Sequence, residues 1–190
     1  MNAVLTNFDI IFSQIQMFVD PQEEDSEQIM RFKDHNLVEQ RRIREEALHS
    51  YHRTLGTLRN VLKQMSSNEI VEGYLEGSRL LRKCVAGYMA ENFSNDFVPT
   101  MIDAVKASDK HTGWLFLQTL ANHLGKDISP LVLSNLAAPG IRETALSVAG
   151  QLDLSEAIPI IRDLINDPVH EIAALAKLIL SELETKRKNN

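Results

Sequence analysis

Glu45, His49 and His52 stand at i, i+4 and i+7 of one charged stretch, a spacing that brings all three to one face of a helix. Glu46 and His49 also form the Glu-x-x-His pair found in helical two-metal proteins. Carboxylate and imidazole are ordinary ligands for divalent metals, but a closed site needs a matching set on a facing helix. The chain holds no second Glu-x-x-His. We therefore read these residues as the polar flank of a helix and assign no metal site. Nor does the sequence carry a Gly-rich phosphate loop, a nucleophile elbow, a Cys-x-x-Cys pair or a Ser, His and acid grouping. No catalytic residue and no cofactor are assigned, and the chain is not read as an enzyme.

The overall balance narrows the partner class. A net charge of -6 and a pI near 5.5 argue against a surface made for nucleic-acid phosphates, whose affinity comes from clustered Lys and Arg. The basic groups Arg41, Arg42, Arg44, Arg79, Arg82 and Lys83, and the run Lys186–Lys188, are read as solvated faces. Cys84 is the single cysteine, which excludes an intrachain disulfide and fits a buried apolar thiol in a reducing compartment. No run of about 18 apolar residues occurs, so membrane insertion is not expected, and the expected location is the cytoplasm.

Helices are the elements that must position any site. Only 8 Gly and 6 Pro interrupt 190 residues, too few for the frequent turns of a sandwich. From Met1 to Val19, Val4, Phe8, Ile11, Ile15 and Phe18 run beside Leu5, Phe12 and Val19 at helical spacing, an apolar surface that a body or a second chain must cover. This stretch has no basic start, carries Asp9 and shows no small-residue cleavage site, so it reads as a helix of the mature protein. Asp20-Pro21 ends it. Gln22 to Arg44 then reads as a solvated, charged linker with a hinge, grading into the exposed start of a second helix. Leu48, Tyr51, Leu55, Leu58, Leu62 and Met65 form the seam of a long second helix. Beyond a cap at Ser66–Glu69, Ile70, Tyr74, Leu75, Leu81, Val85 and Met89 predict one further helix, weakened by Gly73 and Gly77. The expected division is an N-terminal helical region, 1–66, and a repeat region, 67–190.

The repeat is visible between Ile128 and Glu184. A shift of 28 lays Val132 on Ile160, Leu133 on Ile161, Leu136 on Leu164 and Ile141 on Val169, then Ala145 on Ala173, Val148 on Ala176 and Leu152 on Leu180. Pro130 and Pro159 open the first helix of each unit, and Pro139 and Pro168 mark the turn into the second. A weaker, earlier unit has Pro99, Met101, Ile102 and Val105, then Trp114, Leu117, Leu120 and Leu124. One helical hairpin cannot bury both inner faces, so successive hairpins stack, and small residues such as Ala145, Ala149, Ala173 and Ala176 let the helices approach.

At these residues the chain resembles the HEAT-like repeats of the short bacterial type, whose second helix opens with Asp-Pro, a Val-Arg pair and paired alanines. Asp167-Pro168-Val169-His170-Glu171-Ile172-Ala173-Ala174 keeps that order with His170 in place of the Arg. Pro139-Gly140-Ile141-Arg142-Glu143-Thr144-Ala145 keeps the Arg without the Asp. The resemblance implies an all-α fold, an α-solenoid of HEAT-like hairpins following an N-terminal long-helix region. It also implies a non-catalytic scaffold or adaptor that binds another protein. HEAT-like deoxyhypusine hydroxylases hold two irons on His-Glu pairs at the place of His170-Glu171, but the matching positions here are Ile141-Arg142-Glu143 and Thr112-Gly113.

Trp114, Arg142 and His170 are the residues we expect at a protein-binding surface, although Trp114 fits core packing better by its place in a second helix. Replacing Arg142 or His170 should weaken capture of a partner while leaving thermal unfolding nearly unchanged. One alternative is an accessory subunit that docks through its first helix, or a homodimer through the N-terminal helices. Another is an enzyme similar to the HEAT-like DNA glycosylases, against which the acidic balance counts, or to phycobilin lyases, with which only the repeats are shared.

Overall fold

The structure is a computed structural model that describes residues 2–22 and 25–189. Met1, at the head of the first expected helix, and Glu23 and Glu24, within the expected linker, lie outside the described residues, as does Asn190. Among the described residues every regular element is helical, and no helix is long and apolar enough to cross a membrane. The chain divides into two compact units, residues 1–91 and 92–190. The boundary read from sequence, 66/67, falls instead at a turn inside the first unit.

In the first unit α1 (Ala3–Val19) packs on α3 (Leu37–Leu62) and on α5 (Arg79–Glu91), with α4 (Ser67–Glu76) against α5. Asn2 caps α1, its side-chain oxygen accepting the Val4 N–H at 2.9 Å. Leu5, Phe8 and Phe12 make the buried stripe of α1, whereas Val4, Ile10 and Ile11 remain exposed. The contact with α4 is so close that a Cβ on Gly73 would come within 2.4 Å of Leu5 Cδ1.

Two sequence expectations are corrected here. The charged stretch is not a linker throughout: Ser26–Lys33 forms α2, and Asp25 just before it is buried. Arg79 was expected on a solvated face, yet its side chain is only 7% exposed and pairs with Asp25 at 2.5 Å, while its Nη2 also donates to the Asp20 carbonyl at 2.7 Å. Lys83 adds a 2.6 Å pair to Asp20. A buried carboxylate needs such partners, so these bonds hold the segment to α5.

The helix expected across Ile70–Met89 is two helices. Ser66 and Glu69 form a reciprocal capping box that starts α4, as the sequence suggested. Gly77, in extended backbone, ends it with its N–H on the Gly73 carbonyl, and the position suits glycine because a Cβ there would meet that carbonyl oxygen at 2.6 Å. The Ser78 N–H, freed at the break, donates to Asp9 Oδ1 of α1 at 2.6 Å. On α3 the seam is real in its second half, where Leu58 and Leu62 are buried, but Leu48 is 43% exposed.

The second unit repeats one construction three times. A short 3₁₀ turn leads into α6 (Val98–Lys106), α8 (Ser129–Leu136) and α10 (Ile158–Leu164), each with Pro at its first turn, where no N–H is needed. Each is followed by a longer helix: α7 (Gly113–Leu124), α9 (Arg142–Gln151) and α11 (His170–Asn189). Two residues past each proline, Met101, Val132 and Ile161 are all fully buried. Val132 therefore corresponds to Ile161, a shift of 29 rather than the 28 that pairs it with half-buried Ile160. Hairpin partners pack together, α6 and α8 touch, α8 and α10 touch, and α9 lies between α7 and α11. That position explains why Ala145, Leu146, Val148, Ala149 and Gly150 of α9 are all buried.

Candidate functional site: a groove at the starts of the second helices

The three turns that enter α7, α9 and α11 are built from few residues. Asp109 folds the first turn, accepting the His111 N–H at 2.8 Å on Oδ1 and the Thr112 hydroxyl at 3.0 Å on Oδ2. Asp167 does the same for the third, accepting the Val169 N–H at 2.9 Å. Between them, Gly140 lies on the first turn, where a Cβ would meet the Ser108 carbonyl oxygen at 3.0 Å, and Ser108 itself takes a left-handed φ of 51°.

Arg142 ties the second turn to the third. Its Nη1 donates to Asp167 Oδ2 at 2.5 Å and its Nη2 to the Ala137 carbonyl at 3.0 Å. The pair is well buried, 19% exposed on the Arg142 side chain and 5% on the Asp167 side chain. Arg142 thus has a structural task, and the expectation that its replacement leaves unfolding nearly unchanged is corrected, because the change would strand the buried Asp167 carboxylate.

These turns frame a groove of about 610 Å³ whose wall includes Trp114 from α7, Ile141 and Arg142 at the start of α9, and Val169 and Ile172 at the start of α11. Trp114 is 50% exposed. The packing expectation for it is overturned: the tryptophan stands at the second residue of α7, facing the groove instead of the core. Trp114 and Arg142 are brought together, while His170 is exposed one residue beyond the groove wall at Val169.

The groove continues into an uncharged polar row that sequence reasoning missed. Gln118, also in the groove wall, donates through Nε2 to Gln151 Oε1 at 2.6 Å, and Gln151 Nε2 donates to Asn122 Oδ1 at 2.9 Å. Trp114, Gln118 and Asn122 follow at i, i+4 and i+8, the spacing that would have shown them on one face of α7. Arg142, the one Lys or Arg among the described residues of the groove wall, is already bound to a carboxylate. The groove therefore offers an aromatic plane, aliphatic walls and amides, with the exposed carboxylate of Glu143 also in its wall, a surface suited to a largely apolar partner segment with a few polar or basic groups.

The two carboxylates of the Glu45, Glu46, His49 and His52 group are paired with arginines. Arg41 pairs with Glu45 at 2.8 Å and Arg42 with Glu46 at 2.5 Å, both in the open. Among the described residues no group of three or more His, Cys, Asp or Glu is placed to hold a metal ion. Cys84 is buried beside Tyr51, and burial pushes its thiol up to about 11. A thiol so placed is a poor nucleophile at neutral pH.

Comparison of the chain with models of protein families, with curated proteins and with solved structures finds no match in any of the three.

Proposed function

We propose that this protein is a non-catalytic adaptor that holds another protein against the groove of its second unit, in a cytoplasmic, reducing setting. The observation that carries this reading is Trp114. A large aromatic side chain half in solvent, at the rim of a groove with Ile141, Val169 and Ile172, has the composition of a binding anchor and not of an ordinary helix surface. The rows of first helices α6, α8 and α10 and second helices α7, α9 and α11 support reading the unit as a HEAT-like solenoid segment. The rival reading, a first helix that serves as a docking handle, has less support because Leu5, Phe8 and Phe12 of α1 are buried within their own unit.

Trp114 is the only tryptophan, so its fluorescence reports the groove directly. Native extract passed over immobilised wild-type protein and over Trp114→Ala should yield a partner retained by the first alone. That purified partner should shift and shield the Trp114 emission. Equal retention on both resins, with Trp114 still open to acrylamide in the complex, would refute the groove as the binding surface.

A further inference from the structure

The first unit contains a cavity that the adaptor reading does not use. Met17 and Phe18 at the end of α1, Pro21, and Ile29 and Phe32 of α2 line about 330 Å³ of mostly apolar space, with Arg44 of α3 at its exposed edge. The space is a cleft partly open to solvent, with Met17, Phe18 and Ile29 half-buried and Phe32 buried at its base, a concave apolar surface that an apolar guest would cover. Arg44 supplies the second observation. Its neighbours Arg41 and Arg42 are each matched to carboxylates on α3, whereas Arg44 lies with its guanidinium carbon 5.2 Å from the Phe32 ring centre and forms no ion pair with a described residue. The ring attracts the cation, and because Arg44 is exposed its N–H donors face water and stay available to an anion.

From this pairing we infer that the cavity binds a small apolar monocarboxylate, its chain among Met17, Phe18, Ile29 and Phe32 and its carboxylate on Arg44. At roughly 30 Å³ for each water-sized group, the space takes about eleven such groups, the size of a medium-chain fatty acid. A phosphate-bearing or doubly charged ligand fits less well, because Arg44 is the one charged residue among the described residues of the lining.

Octanoate is the probe, titrated into the full chain carrying labelled methionine and isoleucine methyl groups. The inference expects saturable shifts at Met17 and Ile29, with little change at Met89 or Met101. Octanol should bind about tenfold more weakly, and Arg44→Gln should remove that difference. Ile29→Phe, which fills the space, should abolish binding while the unfolding midpoint is held or raised. No saturation at millimolar octanoate, equal affinity for octanol, or shifts spread over all methionines would each overturn the inference. So would tighter binding of N-acetylphenylalanine, which would point to a peptide terminus. Glu23 and Glu24 follow closely in sequence, and their joint replacement by Gln tests an internal counter-ion. Unchanged affinity supports the inference, and a gain of tenfold or more overturns it.

Discussion

Replacing Arg142 by Ala should unsettle the repeat unit itself. Its guanidinium spans two turns, one bond to Asp167 at 2.5 Å and one to the Ala137 carbonyl at 3.0 Å. Removing one member of a buried ion pair costs about 3–5 kcal/mol, because the other charge is left in a poor solvent. Asp167 is 5% exposed and so belongs in that range. Two features favour its lower end: Arg142 keeps 19% of its side chain in water, and Asp167 would still accept the Val169 N–H. The expected loss is about 3 kcal/mol, read by urea unfolding followed by circular dichroism. If the two units unfold separately, the loss falls on one transition alone. Arg142→Lys should recover only part, since an ammonium lacks the planar fork that reaches both acceptors. A loss below about 1 kcal/mol, the scale of exposed pairs, would refute the argument. So would a lysine variant equal to the wild type.

Two further measurements probe the first unit. Phe12→Ala should destabilise by about 3–5 kcal/mol, because Phe12 is fully buried and its loss leaves a cavity; a change under about 1 kcal/mol would mean that α1 is not part of the core. Alkaline pH should weaken the fold through Cys84, whose thiol is held near 11 against an ordinary 9.0. The contribution is whole below 9.0 and declines as pH climbs towards about 11, since only the unfolded thiol then ionises freely. Urea midpoints at pH 8 and pH 10 should therefore diverge more for the wild type than for Cys84→Ala, and equal divergence would remove the thiol from the account.

The helical class and the hairpin unit were legible because both rest on local spacing. Pro99, Pro130 and Pro159 mark the helix starts, and the buried positions follow them at a fixed distance. What escaped was decided by contacts between distant residues. Asp25 reads as one more acid in a charged stretch, and nothing local announces that Arg79, 54 residues on, makes it a buried anchor. The break at Gly77 depends on Asp9 of α1 receiving the freed Ser78 N–H, which periodicity within the later stretch cannot show. Trp114 misled for a different reason. Large aromatics in amphipathic helices usually face the core, and only the placement of its turn against those of α9 and α11 puts it in the groove. The amide row was readable in principle, but three uncharged polar residues carry little signal without a partner helix to align them.

Each unit is also closed by a helix seated on the bare backbone of a glycine. Leu5 lies over Gly73, and Ile179 of α11 lies over Gly150, where a Cβ would come within 2.7 Å of Ile179 Cδ1. One added methyl at either place forces the tip of that side chain to move, an overpacking strain of about 1–3 kcal/mol confined to its own unit. Gly73→Ala and Gly150→Ala are thus separate, local perturbations, each expected to lower the stability of one half and leave the other as it was.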